Sequence, residues 1–152
     1  MPQIMTARRI QRGFTLIELV VVVTILGILA AFAIPRFAAL DGAARVSASR
    51  TLAGSLRSAA ALAHAQYLVA GNTPASVTMD GQAVSLVFGY PDAAGIGLAI
   101  QDSATGFTAA TVGSTITFTK TGAATPATCI ASYTAAAAVN TAPAIAGNTA
   151  GC

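Results

Sequence analysis

The chain is poor in the residues that carry out chemistry. Its 152 residues include one histidine, two cysteines and no tryptophan, and only 9% of them are charged. The acidic residues occur singly, at Glu18, Asp41, Asp80, Asp92 and Asp102. His64 stands alone on a predicted helix. Because catalysis needs a base beside a nucleophile or a second carboxylate, and a metal needs three or four clustered ligands, we expect no enzyme, metal site or cofactor.

Positive charge is concentrated at the amino terminus. Residues 1–13 contain Arg8, Arg9 and Arg12 and no acid, and an apolar run follows at residues 14–34. As a helix this run would measure about 31 Å, which is enough to cross the core of a bilayer. The positive-inside rule keeps the basic head in the cytoplasm and places the remainder of the chain outside. The run is too long for an ordinary cleaved secretory signal.

One carboxylate interrupts the apolar run. Glu18 would cost about 2.5–3.5 kcal/mol at mid-bilayer on insertion scales, and less near an interface. If the chain were cut after Gly13, Phe14 would carry a free amine at the start of a helix, where a carboxylate is favoured. The alternative interpretation is a signal anchor that contains a chance acid.

The motif Arg12-Gly13-Phe14, with Glu18 four residues on, resembles the processing signal of type IV pilins and of type II secretion pseudopilins. The resemblance implies that residues 1–13 are a leader, and that a membrane-embedded prepilin peptidase and methyltransferase cuts after Gly13 and methylates Phe14. It implies that Glu18 pairs with the terminal amine of a neighbouring subunit. It also implies partners, namely other copies of the chain in a homopolymeric filament, a pilus assembly ATPase and a platform protein.

The helical pattern continues beyond the apolar run. Residues 14–35 form the predicted transmembrane and assembly half of the helix, and residues 36–71 form an amphipathic half that Gly71-Asn72 and Pro74 end. Pro35 is expected to kink or locally open the helix. The resemblance implies that the stretch from Gly27 to Pro35 is unwound in the filament. The alternative is that Gly27 permits close crossing of helices in the membrane.

The period of the sequence changes after residue 75, and residues 72–152 predict a β-sheet domain. Ser76–Met79 and residues 82–88 flank Asp80-Gly81, a favoured type I′ pair, and therefore predict a hairpin. Gly89-Tyr90-Pro91 ends the second strand, and a loop follows to about Gly113. Further strands are predicted at residues 114–119 and 129–134. The expected fold class is α+β, the pilin fold, with one long helix packed on an antiparallel sheet of about four strands.

Cys129 and Cys152 are the only cysteines, and both lie on the side predicted to be outside the cytoplasm. We expect a disulfide between them, worth about 3.5 kcal/mol in the chain-entropy treatment. A free catalytic thiol is the alternative. A disulfide near the carboxy terminus is also typical of type IV pilins. Short matches resemble the mannose-sensitive haemagglutinin branch of that family, at residues 59–62, residues 64–67, Gly89-Tyr90-Pro91 and Gly151-Cys152.

Together these features predict a structural subunit, the major pilin of a type IV pilus. The precursor would be a single-pass inner-membrane protein, and the mature subunit would polymerise into a surface filament for adhesion or motility. A type II secretion pseudopilin and a minor pilin are the alternatives, and an enzyme on a signal anchor is a third class. Pseudopilins usually carry an acidic calcium site near the carboxy terminus, whereas no acid follows Asp102 here.

Removal of the leader arginines leaves equal numbers of basic and acidic residues, so the basic pI gives no support to nucleic-acid binding.

Overall fold

A long helix is followed by two antiparallel sheets. The structure, a computed structural model, describes residues 13–100 and 104–152. Helix α1 is Leu16–Val69 and the short helix α2 is Ala93–Ala99. The first sheet contains β1 (Ser76–Met79), β2 (Gln82–Val87) and β3 (Tyr90–Pro91) in that order. The second contains β4 (Phe107–Val112), β5 (Thr115–Lys120), β6 (Ile130–Thr134) and β7 (Ala144–Asn148) in that order. The predicted α+β class is confirmed.

The chain divides into two compact units, with the boundary between Ala39 and Leu40. In the described part of the first unit, the large apolar side chains of α1 are exposed. By length and composition, α1 contains one segment able to cross a membrane, and none of that segment is buried within the chain. The helix continues through Pro35 without interruption.

The second unit has a core built on one face of α1. Leu52, Leu56 and Ala63 recur at helical spacing and are almost fully buried. They belong to one cluster with strand residues of both sheets, among them Val84 and Phe118. Alanines at other buried helix positions leave room for the strands to approach the helix closely. The amphipathic half of the helix therefore packs on β-structure, as predicted.

The first hairpin follows the predicted register. Met79 pairs with Gln82, and the two turn residues between them, Asp80 and Gly81, have φ angles of 48° and 78°. Both angles are positive, as a type I′ turn requires. Asp80 tolerates this conformation better than a β-branched residue would, and Gly81 adopts it without strain.

Of the helices and strands given above, four stand where the sequence predicted a turn or loop or left the chain unassigned, namely β3, α2, β4 and β7. Helix α2 is short and glycine-containing, and it depends on Asp92, whose carboxylate accepts from the backbone N–H of Gly95 at 2.6 Å and from the Ser85 hydroxyl at 2.7 Å. Strands β4 and β7 are the two edges of the second sheet, and most of their residues are exposed. Neither strand shows the regular apolar alternation by which strands are recognised in a sequence.

A buried tyrosine joins the two sheets. Tyr133 on β6 is 0% exposed, and its hydroxyl donates to the carbonyl of Pro91 on β3 at 2.7 Å. Burial raises the pKa of the Tyr133 phenol above its ordinary value, and the negative charges of Asp92 and of ionised Tyr90 raise it further. The phenol therefore remains a neutral donor throughout the physiological range.

We expect Tyr133→Phe to lower the free energy of unfolding by about 1–3 kcal/mol, because the buried carbonyl of Pro91 loses its donor. Tyr67→Phe is the matched control, since the Tyr67 hydroxyl donates at 2.7 Å to a carbonyl, that of Asn72, which lies at an exposed position. Denaturant unfolding of the full chain in detergent, followed by near-ultraviolet circular dichroism, measures both losses. Equal losses in the two variants would contradict the assigned role.

The Tyr133→Phe and Tyr67→Phe variants should also differ in how their stability responds to alkaline pH. In the unfolded chain the Tyr133 phenol ionises near the ordinary tyrosine pKa of about 10, whereas in the folded chain it keeps its proton to higher pH. The stability that neutral Tyr133 contributes is therefore complete below about pH 10 and is lost as the pH rises beyond it. Tyr133→Phe should lack this component of the pH dependence, and Tyr67→Phe should retain it.

Candidate processing and assembly site

The predicted cleavage site lies in exposed chain just before α1. Gly13, Phe14 and Thr15 are non-helical, and the Phe14 side chain is 82% exposed. A peptidase must bind backbone that is accessible and is not held in a helix. The bond between Gly13 and Phe14 meets both conditions. The basic residues Arg8, Arg9 and Arg12 lie outside the described residues.

Thr15 caps the helix, a role that the sequence analysis did not assign. Its Oγ1 accepts from the backbone N–H of Glu18 at 3.2 Å, and its carbonyl accepts from the N–H of Leu19 at 3.2 Å. Thr-x-x-Glu is the sequence of a capping box, so this spacing could have predicted the cap from the sequence. The cap starts the helix at Leu16 and places Glu18 in its first turn.

Glu18 carries an exposed carboxylate beside the amino-terminal end of the helix. The helix dipole favours a negative charge at this position. Within residues 13–100 and 104–152, the one ion pair is formed by Asp41 and Arg45, so Glu18 has no ionic partner in the described chain. No described residue therefore neutralises its charge.

The helix beyond Glu18 presents an almost uninterrupted apolar surface. The one hydroxyl near its start, that of Thr24, donates to the carbonyl of Val20 at 2.7 Å and so is satisfied without water. The exposed large side chains are Leu19, Val20, Val21, Val22, Val23, Ile25, Leu26, Ile28, Leu29, Phe32 and Ile34. A surface of this kind in water is a site of association with lipid or protein.

Gly27 and Pro35 are both helical here. A Cβ added at Gly27 would meet no atom within 4 Å, so no contact among the described residues requires a glycine there. Unwinding of this stretch in a filament stays a prediction. Close crossing of helices in the membrane also stays a prediction.

The predicted disulfide between Cys129 and Cys152 is present, with a Cα–Cα distance of 4.8 Å, and it excludes the alternative of a free thiol. The hydroxyl of buried Ser49, on α1, lies 3.6 and 3.7 Å from the two sulfurs. A guanidinium nitrogen of Arg45, one helical turn earlier, donates to the Cys152 carbonyl at 3.4 Å. The disulfide thus holds the end of the chain against α1.

His64 packs within the second unit. Its Nδ1 lies 2.8 Å from the carbonyl oxygen of Gly89, so a protonated Nδ1 can donate a hydrogen bond to that oxygen. The imidazole ring stacks on the Tyr90 ring, with the two centroids 4.0 Å apart. In the described ranges, no three His, Cys, Asp or Glu side chains come together as a possible metal site. Asp102 lies outside those ranges.

The class of the amino-terminal segment follows from its match to a known motif. The prokaryotic N-terminal methylation motif matches residues 8–34, which include Gly13, Phe14 and Glu18. The match covers the arginines of the head, the predicted cleavage position and the apolar run. No solved structure matches the chain.

The chain is also similar to type IV fimbrial proteins. It is 42% identical over 76 residues to a fimbrial protein of Neisseria meningitidis serogroup B, covering 50% of this chain and 43% of the relative. It is 50% identical over 50 residues to a type IV major fimbrial protein of Dichelobacter nodosus, covering 33% and 31%. A fimbrial protein of Pseudomonas aeruginosa is 39% identical over 72 residues, covering 46% and 47%. The chain thus spans less than half the length of these curated relatives.

We expect the double variant Cys129→Ser/Cys152→Ser to lose about 3.5 kcal/mol of unfolding free energy, because the unfolded chain gains the entropy that the cross-link removes. Ser49→Ala is the control, since it removes the hydroxyl beside the sulfurs and leaves the cross-link intact. Denaturant unfolding of both proteins, with and without reductant, measures the effect. If reduction left the unfolding midpoint of the wild type unchanged, the stabilising role of the disulfide would be refuted.

Proposed function

We propose that this chain is a structural subunit of a type IV pilus, and specifically its major pilin. The precursor is a single-pass inner-membrane protein whose amino terminus is cytoplasmic. After processing, the subunit polymerises with other copies into an extracellular filament that serves adhesion or motility. The prepilin peptidase and methyltransferase, the assembly ATPase and the platform protein are its partners.

The observation that carries this proposal is the exposed apolar half of α1, most of which lies within the methylation motif. The segment is long enough to rest in the inner membrane before assembly. After assembly the same side chains must leave the lipid without entering water, so they pack against equivalent segments of other copies. One surface therefore serves both the membrane state and the filament state.

Processing supplies the ionic partner that Glu18 lacks among the described residues. Cleavage after Gly13 gives Phe14 a cationic amine, which methylation leaves able to carry its charge. Thr15 keeps Glu18 in the first helical turn, where an incoming amine can reach it. A wrongly staggered neighbour would leave this carboxylate unpaired in an apolar setting, which is costly. The pair formed with the amine of a neighbouring Phe14 therefore selects the axial register of each added subunit.

A type II secretion pseudopilin shares the processing motif and is the second candidate. The disulfide between Cys129 and Cys152 favours the pilin, because major pseudopilins usually lack a terminal disulfide. Similarity to a major fimbrial protein favours the major subunit over a minor pilin. Membership of the mannose-sensitive haemagglutinin branch stays a prediction from the short motifs at Gly89-Tyr90-Pro91 and Gly151-Cys152.

Mass spectrometry of the protein from sheared surface fibres tests the processing. We expect a chain that begins at Phe14 and ends at Cys152, heavier by one methyl group and lighter by two hydrogens because the cysteines are oxidised. Reduction should restore the two hydrogens and serves as the internal control. Absence of the protein from sheared fibres would refute the pilin proposal, and an intact chain beginning at Met1 would refute processing.

A pair of variants at Glu18 and Thr15 tests the assembly role. We expect Glu18→Gln to abolish surface fibres while the chain is still processed, because the neutral amide cannot pair with the Phe14 amine. Thr15→Ala removes a helix cap worth about 1 kcal/mol but keeps the carboxylate, so fibres should persist. Fibre yield after shearing and the mass of the membrane-bound pool measure the two steps. Equal fibre loss in both variants would assign Glu18 to helix capping instead.

A further inference from the structure

Two arginines on α1 have no acidic partner among the residues that the structure describes. Arg50 and Arg57 are exposed, and neither forms an ion pair with any residue in the described ranges. Arg57 makes one long contact, from a guanidinium nitrogen to the Ala53 carbonyl at 3.5 Å. Because they are seven residues apart, about two helical turns, they project from the same face of the helix.

Both arginines border one cavity of about 360 Å³ beside the carboxy-terminal part of the second sheet. Its wall is completed by Ser49, Ala53, Gly147 and Thr149. None of these lining residues is acidic, so the positive charge at the cavity is not neutralised locally. The cavity is therefore suited to a carboxylate or another anion.

Most other charges of this unit are occupied within the chain. Arg45 pairs with Asp41, and the Asp92 carboxylate caps α2. Lys120 lies over the Phe107 ring at 4.8 Å and donates to a backbone carbonyl at 2.8 Å. Among the acids that the structure describes from Leu40 onward, Asp80 is the one left without an ionic or capping partner.

Asp80 is held at the tip of the β1–β2 hairpin. Its side chain is exposed, and the positive φ angles of Asp80 and Gly81 define a tight turn. Val77 and Met79 on the adjoining strand are buried in the core, so the hairpin has a fixed base. The carboxylate is therefore presented on a rigid support.

We propose that Asp80 of one copy docks between Arg50 and Arg57 of the next copy in the filament. This contact rests on the proposed function, and it adds a residue-level interface to the outer domain. It joins two different surfaces, so each copy offers one carboxylate tip and one arginine cavity, and the contact can repeat without closing. In a domain with so few charges, such a pair contributes more to the orientation and register of the subunits than to the affinity between them.

Charge reversal tests the contact. Asp80→Arg or Arg50→Glu alone should lower the yield of sheared fibres roughly fivefold to tenfold, because attraction becomes repulsion. The double variant Asp80→Arg/Arg50→Glu should recover most of that yield. Lys120→Glu is the matched control, since it changes the net charge as much as Arg50→Glu does but lies outside the cavity. Oxidation of the two cysteines in the membrane pool verifies that each variant is folded.

Zero-length cross-linking gives a second measurement on fibres that are already assembled. Arg50→Lys keeps the charge and supplies an amine, so carbodiimide should join Lys at position 50 to Asp80 and produce a covalent dimer. Arg57→Lys offers the same test at the other side of the cavity. The dimer should disappear when Asp80→Asn is added to either variant.

The outcomes separate this proposal from the one on which it rests. Absence of the wild-type protein from surface fibres would overturn the proposed function and, with it, this contact. Normal fibres from both single reversal variants, or failure of the double variant to recover, would overturn the contact alone. Loss of fibres with Arg50→Glu but not with Asp80→Arg would assign the cavity to an external anion and likewise overturn it. Recovery by the double variant together with the Asp80-dependent dimer would establish it.

Discussion

The central constraint on this protein is an apolar helix surface that the described chain does not cover. The large apolar side chains from Leu19 to Ile34 are exposed, and the membrane-length segment that contains them is not buried within the described chain. Water is an unfavourable environment for such a surface, so the segment is suited to lipid or to an apolar surface of another molecule. The remaining features can be understood as ways of controlling where this surface is placed and which neighbour it meets.

The second unit solves a different problem, since it must fold stably with few large apolar residues. Alanines on the buried face of α1 bring β-structure close to the helix, and a small number of larger side chains, such as Leu56 and Phe118, fill the centre. Directed interactions add to this packing. Tyr133 connects the two sheets by a buried hydrogen bond, and the disulfide between Cys129 and Cys152 holds the carboxy-terminal segment against α1. The first link joins the two sheets to each other, and the second joins the end of the chain to the residue before β6.

The scarcity of charge gives each ionised side chain unusual weight. From Leu40 onward, several charged groups of the described chain have an identifiable local role, such as the Asp41–Arg45 pair and the Asp92 cap. Glu18 and Asp80 are acids that have no ionic partner among the described residues, and the cavity bordered by Arg50 and Arg57 carries the opposite charge. In a weakly charged surface a few such groups can define orientation, because little competing charge offers alternative pairings.

Features encoded by contiguous residues were predictable from the sequence by itself: the apolar run, the Gly13-Phe14 junction with Glu18 four residues on, the end of α1 and the Asp80-Gly81 hairpin. Each depends on local periodicity, on a short spacing or on turn chemistry. The disulfide was predictable because the chain has only two cysteines. Strands β4 and β7 were not, because they lack apolar alternation and exist through pairing with β5 and β6. Tertiary structure alone decided the division into two sheets, the position of Ser49 beside the sulfurs, and which charges remain unpaired, since these depend on contacts between residues distant in the chain.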